Sequence, residues 1–260
     1  MSGQQSIVER RIDVGDRAFR VLSTVSAASA PRSTYVLVHG IGMSHRYYAR
    51  LHERLADTAD VHSIDLPGYA GLPKPAENID IAAMAAALGA VLDEVAPGPV
   101  ILVGHSMGAQ WVIELGVQRR DLIAGVVVIG AVTDERHRSL PAQALALALD
   151  SVGEPPAVNA IVFTDYLRAG VRWYLAQAQH MLSYPIEDRA AELTVPLLVL
   201  RGGTDPIAGQ EWCRRLRDRA ADGVFVEVPG HNHVVQWSAP RAVASALAAF
   251  TASRIESGAR

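Results

Sequence analysis

The chain has 260 residues, half of them hydrophobic, with 24 lysines and arginines against 27 aspartates and glutamates and a formal charge of −3. That is enough for one large core, and the mixed charge gives neither a basic stripe for nucleic acid nor an acidic tail, so a small neutral or weakly charged molecule is the expected partner. A single cysteine, Cys213, excludes an internal disulfide framework, no apolar run approaches the ~18 residues of a membrane span, and residues 1–11 lack a signal-peptide core, so a soluble, cytoplasmic protein is expected.

Ile7 to Ile12 and Arg17 to Val25 read as two strands joined across Asp13-Val14-Gly15-Asp16. Tyr35 to Val38 is a short, wholly apolar strand of the kind buried on both faces of a parallel sheet, and it runs into His39-Gly40-Ile41-Gly42. Ser44 is placed to cap a helix from His45 to about Thr58. Val61 to Asp65 is the next strand, followed by the turn Leu66 to Gly71 and a helix capped by Asn78 or Asp80. Its apolar positions Ile81, Met84, Ala85, Leu88, Leu92 and Val95 keep helical spacing.

At Val100-Ile101-Leu102-Val103-Gly104-His105-Ser106-Met107-Gly108 an apolar run breaks at Gly-x-Ser-x-Gly, and a helical pattern starts at once. Strand, sharp turn and helix crowd the serine, so neighbours without a Cβ are needed beside it, and the hydroxyl is pushed out above the sheet edge. The N–H of Met107 opens the following helix, where the positive end of the dipole meets a developing oxyanion. Ser106 is the expected nucleophile. The second oxyanion donor is expected from the loop after Val38, at Ile41, with His39 either orienting that loop or serving as a hydrogen-bonded core residue.

Gly125 to Ile129 is another buried strand. From Asp134 to Glu192 the alternation of strand and helix stops, and Leu140 to Leu149, Val158 to Leu167 and Val171 to Leu182 read as helices. Phe163, Tyr166, Trp173, Tyr174 and Tyr184 fall here, and they supply either a roof over a pocket or the insertion's own core. The sheet resumes at residues 196–200. Trp212, Cys213, Arg214 and Arg215 read as part of a surface helix, with no histidine near the thiol in sequence. A last strand, Val224 to Val228, leads to Pro229-Gly230-His231-Asn232-His233, and Pro240 opens a closing amphipathic helix. Alternation of this kind specifies a parallel sheet whose functional loops collect at the strands' carboxyl ends.

A serine hydroxyl is a poor nucleophile at pH 7 unless an imidazole takes its proton and a carboxylate fixes the imidazole. Asp205 and the histidine pair at 231 and 233 stand at strand ends in the order Ser, Asp, His, and Asp134 is the rival carboxylate.

These segments, His39-Gly40-Ile41-Gly42, Asp65-Leu66-Pro67-Gly68, Gly104 to Gly108, Gly203-Thr204-Asp205-Pro206-Ile207 and Gly230-His231-Asn232-His233 with Pro240 beyond, make the chain resemble the capped, serine-nucleophile members of the α/β-hydrolase fold superfamily. The resemblance implies an α/β fold, a mostly parallel sheet with flanking helices, formed by residues 1–133 and 193–260, with a helical cap at 134–192. It implies Ser106 as nucleophile, Asp205 as acid, His233 as base, and Ile41 and Met107 as oxyanion donors. His39, His105, Phe163, Trp173, Tyr174 and His231 are candidates to line the pocket. A His-x-His pair could bind zinc, but no third ligand stands at metal spacing, so neither metal nor cofactor is expected. One departure concerns the loop after Asp65, where Ala70 stands at the position that is often a second glycine.

The activity implied is hydrolysis through an acyl-serine on a small to medium apolar carboxylic ester. The alternatives are a carbon–carbon bond beside a ketone, a thioester or lactone, or a non-catalytic ligand-binding protein on the same scaffold.

Overall fold

The computed structural model describes residues 6–26, 33–134 and 156–256. Its strands are β1 (Val8–Val14), β2 (Arg17–Thr24), β3 (Thr34–Val38), β4 (Asp60–Asp65), β5 (Val100–His105), β6 (Ile123–Ile129), β7 (Leu197–Gly202) and β8 (Gly223–Val228). They form one sheet in the order β1-β2-β4-β3-β5-β6-β7-β8. β1 and β2 pair antiparallel with each other, and β2 antiparallel with β4. From β4 to β8 every pairing is parallel.

The α-helices among the described residues are α1 (Ala49–Ala56), α2 (Ile81–Val95), α3 (Gly108–Gln118), α4 (Pro156–Ala169), α5 (Val171–Ser183), α6 (Ile186–Ala191), α7 (Gln210–Arg219), α8 (Val235–Ser238) and α9 (Pro240–Phe250), the last continued by a π-helical turn (Thr251–Glu256). None is long and apolar enough to cross a membrane.

Alternation along the strands divides the core into two layers. Val36, Val38, Leu102, Val126, Val128 and Val199 face α2, α3 and α7, while Tyr35, Leu37, Ile101, Val103, Val127 and Leu200 face α1 and α9. Each central strand is buried on both sides, which is why its sequence is continuously apolar.

Local signals explain most boundaries. Asp80, not Asn78, caps α2, its side chain accepting from the Ala83 N–H at 2.8 Å. Pro240 opens α9, and Val243, Leu247 and Phe250 line its buried face. The helix expected from His45 to Thr58 is instead a 3₁₀ turn (His45–Tyr48), with Ser44 as its cap, followed by α1. The expected helix Leu140 to Leu149 lies outside the described residues. The other two helices expected between residues 134 and 192, α4 and α5, run slightly longer than their periodicity indicates.

These two helices pack on the loops at the carboxyl ends of β3 and β4. A Cβ on Gly42 would lie 2.1 Å from the Tyr166 ring, and one on Gly68 would lie 2.6 Å from the Trp173 indole. Asp165, fully buried on α4, accepts from Ser44 Oγ at 2.5 Å and from Arg46 at 3.2 Å. Glu114 of α3 binds Arg189 and Tyr184, which fastens residues 184–189 to α3.

Candidate active site

Ser106 follows directly on β5 and has φ +56, in the left-handed region that side chains rarely adopt. Its N–H donates to the Ile129 carbonyl at 2.9 Å, which fastens the turn to the end of β6. Crowding makes both flanking glycines obligatory. A Cβ on Gly104 would stand 2.3 Å from the Gly108 carbonyl oxygen, and one on Gly108 would stand 2.5 Å from the Val38 carbonyl oxygen. The loop after β3 presses on the same serine, since a Cβ on Gly40 would come within 2.9 Å of Ser106 Cβ. Ile41 and Met107 therefore belong to the two segments that meet at Ser106.

Asp205 and His233 come from the loops after β7 and β8. His233 Nδ1 donates to Asp205 Oδ2 at 2.9 Å, while Asp205 Oδ1 accepts the N–H groups of Ile207 and Ala208 at 2.8 and 2.9 Å. Burial alone would raise the Asp205 carboxyl, but the His233 charge, its hydrogen bond and the two backbone donors outweigh it and hold the pKa below the usual carboxylate value. This dyad converges on Gly130, the residue after the carbonyl that holds Ser106. Gly130 has φ +58, and a Cβ there would lie 2.9 Å from the His233 ring and 3.4 Å from Asp205 Oδ2. Because a carboxylate oxygen can only accept, His233 carries a proton on Nδ1.

The sequence matches the profile of the Alpha/beta hydrolase family over residues 35–246. The chain belongs to this family.

Among curated relatives of this alpha/beta hydrolase, the "Biotin biosynthesis bifunctional protein BioHC" of Cellvibrio japonicus is 27% identical over 247 residues, which are 84% of this chain and 47% of that protein. The chain thus spans about half the length of that relative. The "(E)-2-((N-methylformamido)methylene)succinate hydrolase" of Acinetobacter baylyi is 26% identical over 83% of this chain and 89% of its own. In fold, the chain is similar to a thermophilic esterase from Thermogutta terrifontis, with TM-score 0.77 and 21% identity over 95% of this chain and 98% of the other.

Other expected site residues take different places. The rival Asp134 is bound to Arg215 at 2.7 Å. His39 is fully buried, its Nε2 accepts the Leu66 N–H at 3.0 Å, and its Nδ1 donates to the Gly40 carbonyl at 2.8 Å. It stitches the loop after β3 to the loop after β4, and burial above all lowers its pKa. His105 is buried beneath the elbow with both ring nitrogens hydrogen-bonded.

Phe163 is 64% exposed and contributes to no buried wall, whereas Trp173 is buried against Gly68 and Tyr174 packs edge-on against Tyr166. His231 bonds Ser238 Oγ through Nδ1 at 3.0 Å. Cys213 is on the inner side of α7, where burial pushes its thiol up to about 12 and leaves it without nucleophilic character at neutral pH.

Arg201 was missed in the sequence. It is buried at the end of β7, and its guanidinium donates to the carbonyls of Ala208 (2.6 Å), Asp205 (3.0 Å) and Gly203 (3.2 Å) and to the Glu227 carboxylate (2.5 Å). One side chain therefore shapes the loop that carries Asp205. The signal was available: a charge at the end of an otherwise apolar buried strand requires partners.

Proposed function

We propose that the protein is a serine hydrolase of carboxylic esters with a small to medium apolar acyl group, working through an acyl-serine intermediate. The observation that carries this reading is the Asp205–His233 hydrogen bond packed on Gly130, one residue beyond the carbonyl that fastens the Ser106 turn. In this reading Ser106 Oγ attacks the ester carbonyl carbon while His233 Nε2 takes the hydroxyl proton. The negative oxygen of the tetrahedral intermediate is met by the N–H groups of Ile41 and Met107, and Asp205 stabilises the imidazolium. His233 then gives the proton to the departing alkoxide. Water, activated by the same ring, attacks the acyl carbon and restores the serine as the acid leaves.

Residues 134–192 act as the cap in this scheme, with Trp173 and Tyr174 facing the substrate's apolar part. Family membership supports hydrolysis, and the similarity to an esterase is one of fold.

Incubation with a fluorophosphonate followed by peptide mapping tests the nucleophile, and p-nitrophenyl esters of increasing acyl length test the substrate. Labelling at Ser106, absent in Ser106→Ala, together with a kcat loss of roughly 10³–10⁶-fold in Ser106→Ala or His233→Ala, is expected. Equal labelling of Ser106→Ala, or turnover of a vinylogous 1,5-diketone or a lactone in preference to every ester, would overturn it.

A further inference from the structure

His105 is the last residue of β5, so its side chain points away from Gly104 and lies beneath the elbow. Its Nε2 is 3.1 Å from the carbonyl oxygen of His233, an atom that can only accept, so Nε2 carries a proton. In the neutral ring, Nδ1 is then an acceptor, and the Tyr47 hydroxyl at 3.0 Å fills it. The Tyr47 oxygen in turn accepts the Gly40 N–H at 2.8 Å.

Every donor in this chain points the same way, from the loop after β3, through Tyr47 and His105, to the backbone of His233. Tyr47 and His105 are both buried, and the rings of His105 and His233 stand 4.5 Å apart. Burial first, and the neighbouring His233 next, push the His105 pKa far below its ordinary value, while burial raises that of Tyr47, so the relay keeps one protonation state.

The strand order gives this chain of hydrogen bonds its use. Gly40 belongs to the loop on one side of β5 and His233 to the loop on the other, with Ser106 between them. We propose that Tyr47 and His105 are positioning residues that tie the loop bearing one oxyanion donor to the backbone of the base, so that both keep a common geometry about Ser106. The inference rests on the reading of Ser106 and His233 given above. Neither side chain touches substrate. They act through placement, and displacements of about 1 Å at such sites cost about 100-fold in rate.

The test measures p-nitrophenyl acetate turnover by the full chain and its variants. Tyr47→Phe and His105→Ala are expected to lower kcat by about 10–100-fold with KM within about 3-fold, the pattern of a group that serves the transition state and not ground-state binding. His105→Gln, whose amide nitrogen can replace Nε2 as donor to the His233 carbonyl, is expected to recover kcat to within about 5-fold of wild type. The double variant Tyr47→Phe/His105→Ala is expected to be no slower than His105→Ala alone, because groups in one chain are not additive.

Wild-type kcat in Tyr47→Phe, losses that multiply in the double variant, or His105→Gln as slow as His105→Ala would each overturn the relay. If His105→Ala does not fold, Tyr47→Phe decides alone. A wild type that takes no fluorophosphonate at Ser106 sinks the reading of the site and the relay with it, whereas a labelled wild type with an unaffected Tyr47→Phe sinks only the relay.

Discussion

Replacing Arg201 with methionine keeps an apolar stem but removes a guanidinium with four acceptors, three of them backbone carbonyls of the 203–208 loop. The residue is 4% exposed, so water cannot freely take the vacated places. A buried acceptor left without a donor costs about 1–3 kcal/mol. The Glu227 side chain is 28% exposed and regains hydration, so its share is discounted. Three carbonyls, partly rehydrated, then give a loss of about 3–5 kcal/mol, the range for breaking a buried charged pair.

Urea unfolding followed by tryptophan fluorescence measures this directly, with the m-value unchanged because the surface exposed on unfolding is the same. Where the variant is still folded, kcat should fall by about 100-fold, since the loop that aims Asp205 has lost its clamp. A destabilisation under about 1 kcal/mol at constant m would refute the idea that this one side chain holds the loop.

Ala70 has φ +53, a conformation that disfavours any side chain, so Ala70→Gly should raise stability by about 0.5–1 kcal/mol with turnover intact, and an unchanged or lower melting temperature would argue against strain there. His52 is held neutral between the Thr24 and Ser63 hydroxyls, and burial first, then His62 and His45, lower its pKa to about 4. The unfolded ring takes its proton near pH 6.5, so its contribution is complete above that value and is lost as pH falls toward 4, by about 3 kcal/mol at about 1.4 kcal/mol per pH unit. Urea midpoints at pH 7 and pH 4.5 should therefore converge in His52→Gln relative to wild type, and parallel losses would contradict this. Asp165→Ala should speed hydrogen exchange in residues 156–169 while leaving β5 and β6 protected, because it removes the acceptor for Ser44 and Arg46. Equal protection in both proteins would show that the contact does not hold α4 in place.

The central sheet was legible in the sequence because its parallel strands are short, mostly apolar and bounded by turn residues, and α2 and α9 because their apolar spacing and caps agree. β6 begins two residues before the expected Gly125, since Ile123 and Ala124 carry too little pattern to extend a strand on their own. α6 escaped notice because six residues give less than two turns of period. Ser106, Asp205 and His233 could be marked from local motifs, each at the end of an apolar run.

Tyr47 and His105 could not be joined in this way. They are 58 residues apart, and an aromatic ring before a helix reads equally well as core. Asp165 has the same difficulty, for its partners lie more than a hundred residues earlier. The inward hydrogen bonding of histidines 39 and 105 was hidden for a physical reason. Near a strand end, successive side chains alternate between the surface and the interior, and the sequence alone does not say which loop will close over them.

The order of strands along the chain bears on how the protein is made. A ribosome that has released residues only through β6 has already delivered the elbow with its serine, yet both members of the dyad are still to come, from loops that pair only once β7 and β8 have joined the sheet. Under the proposed reading, a product interrupted after β6 would hold Ser106 without its dyad, and the serine would be activated only once residue 233 has been made and β8 has joined the sheet.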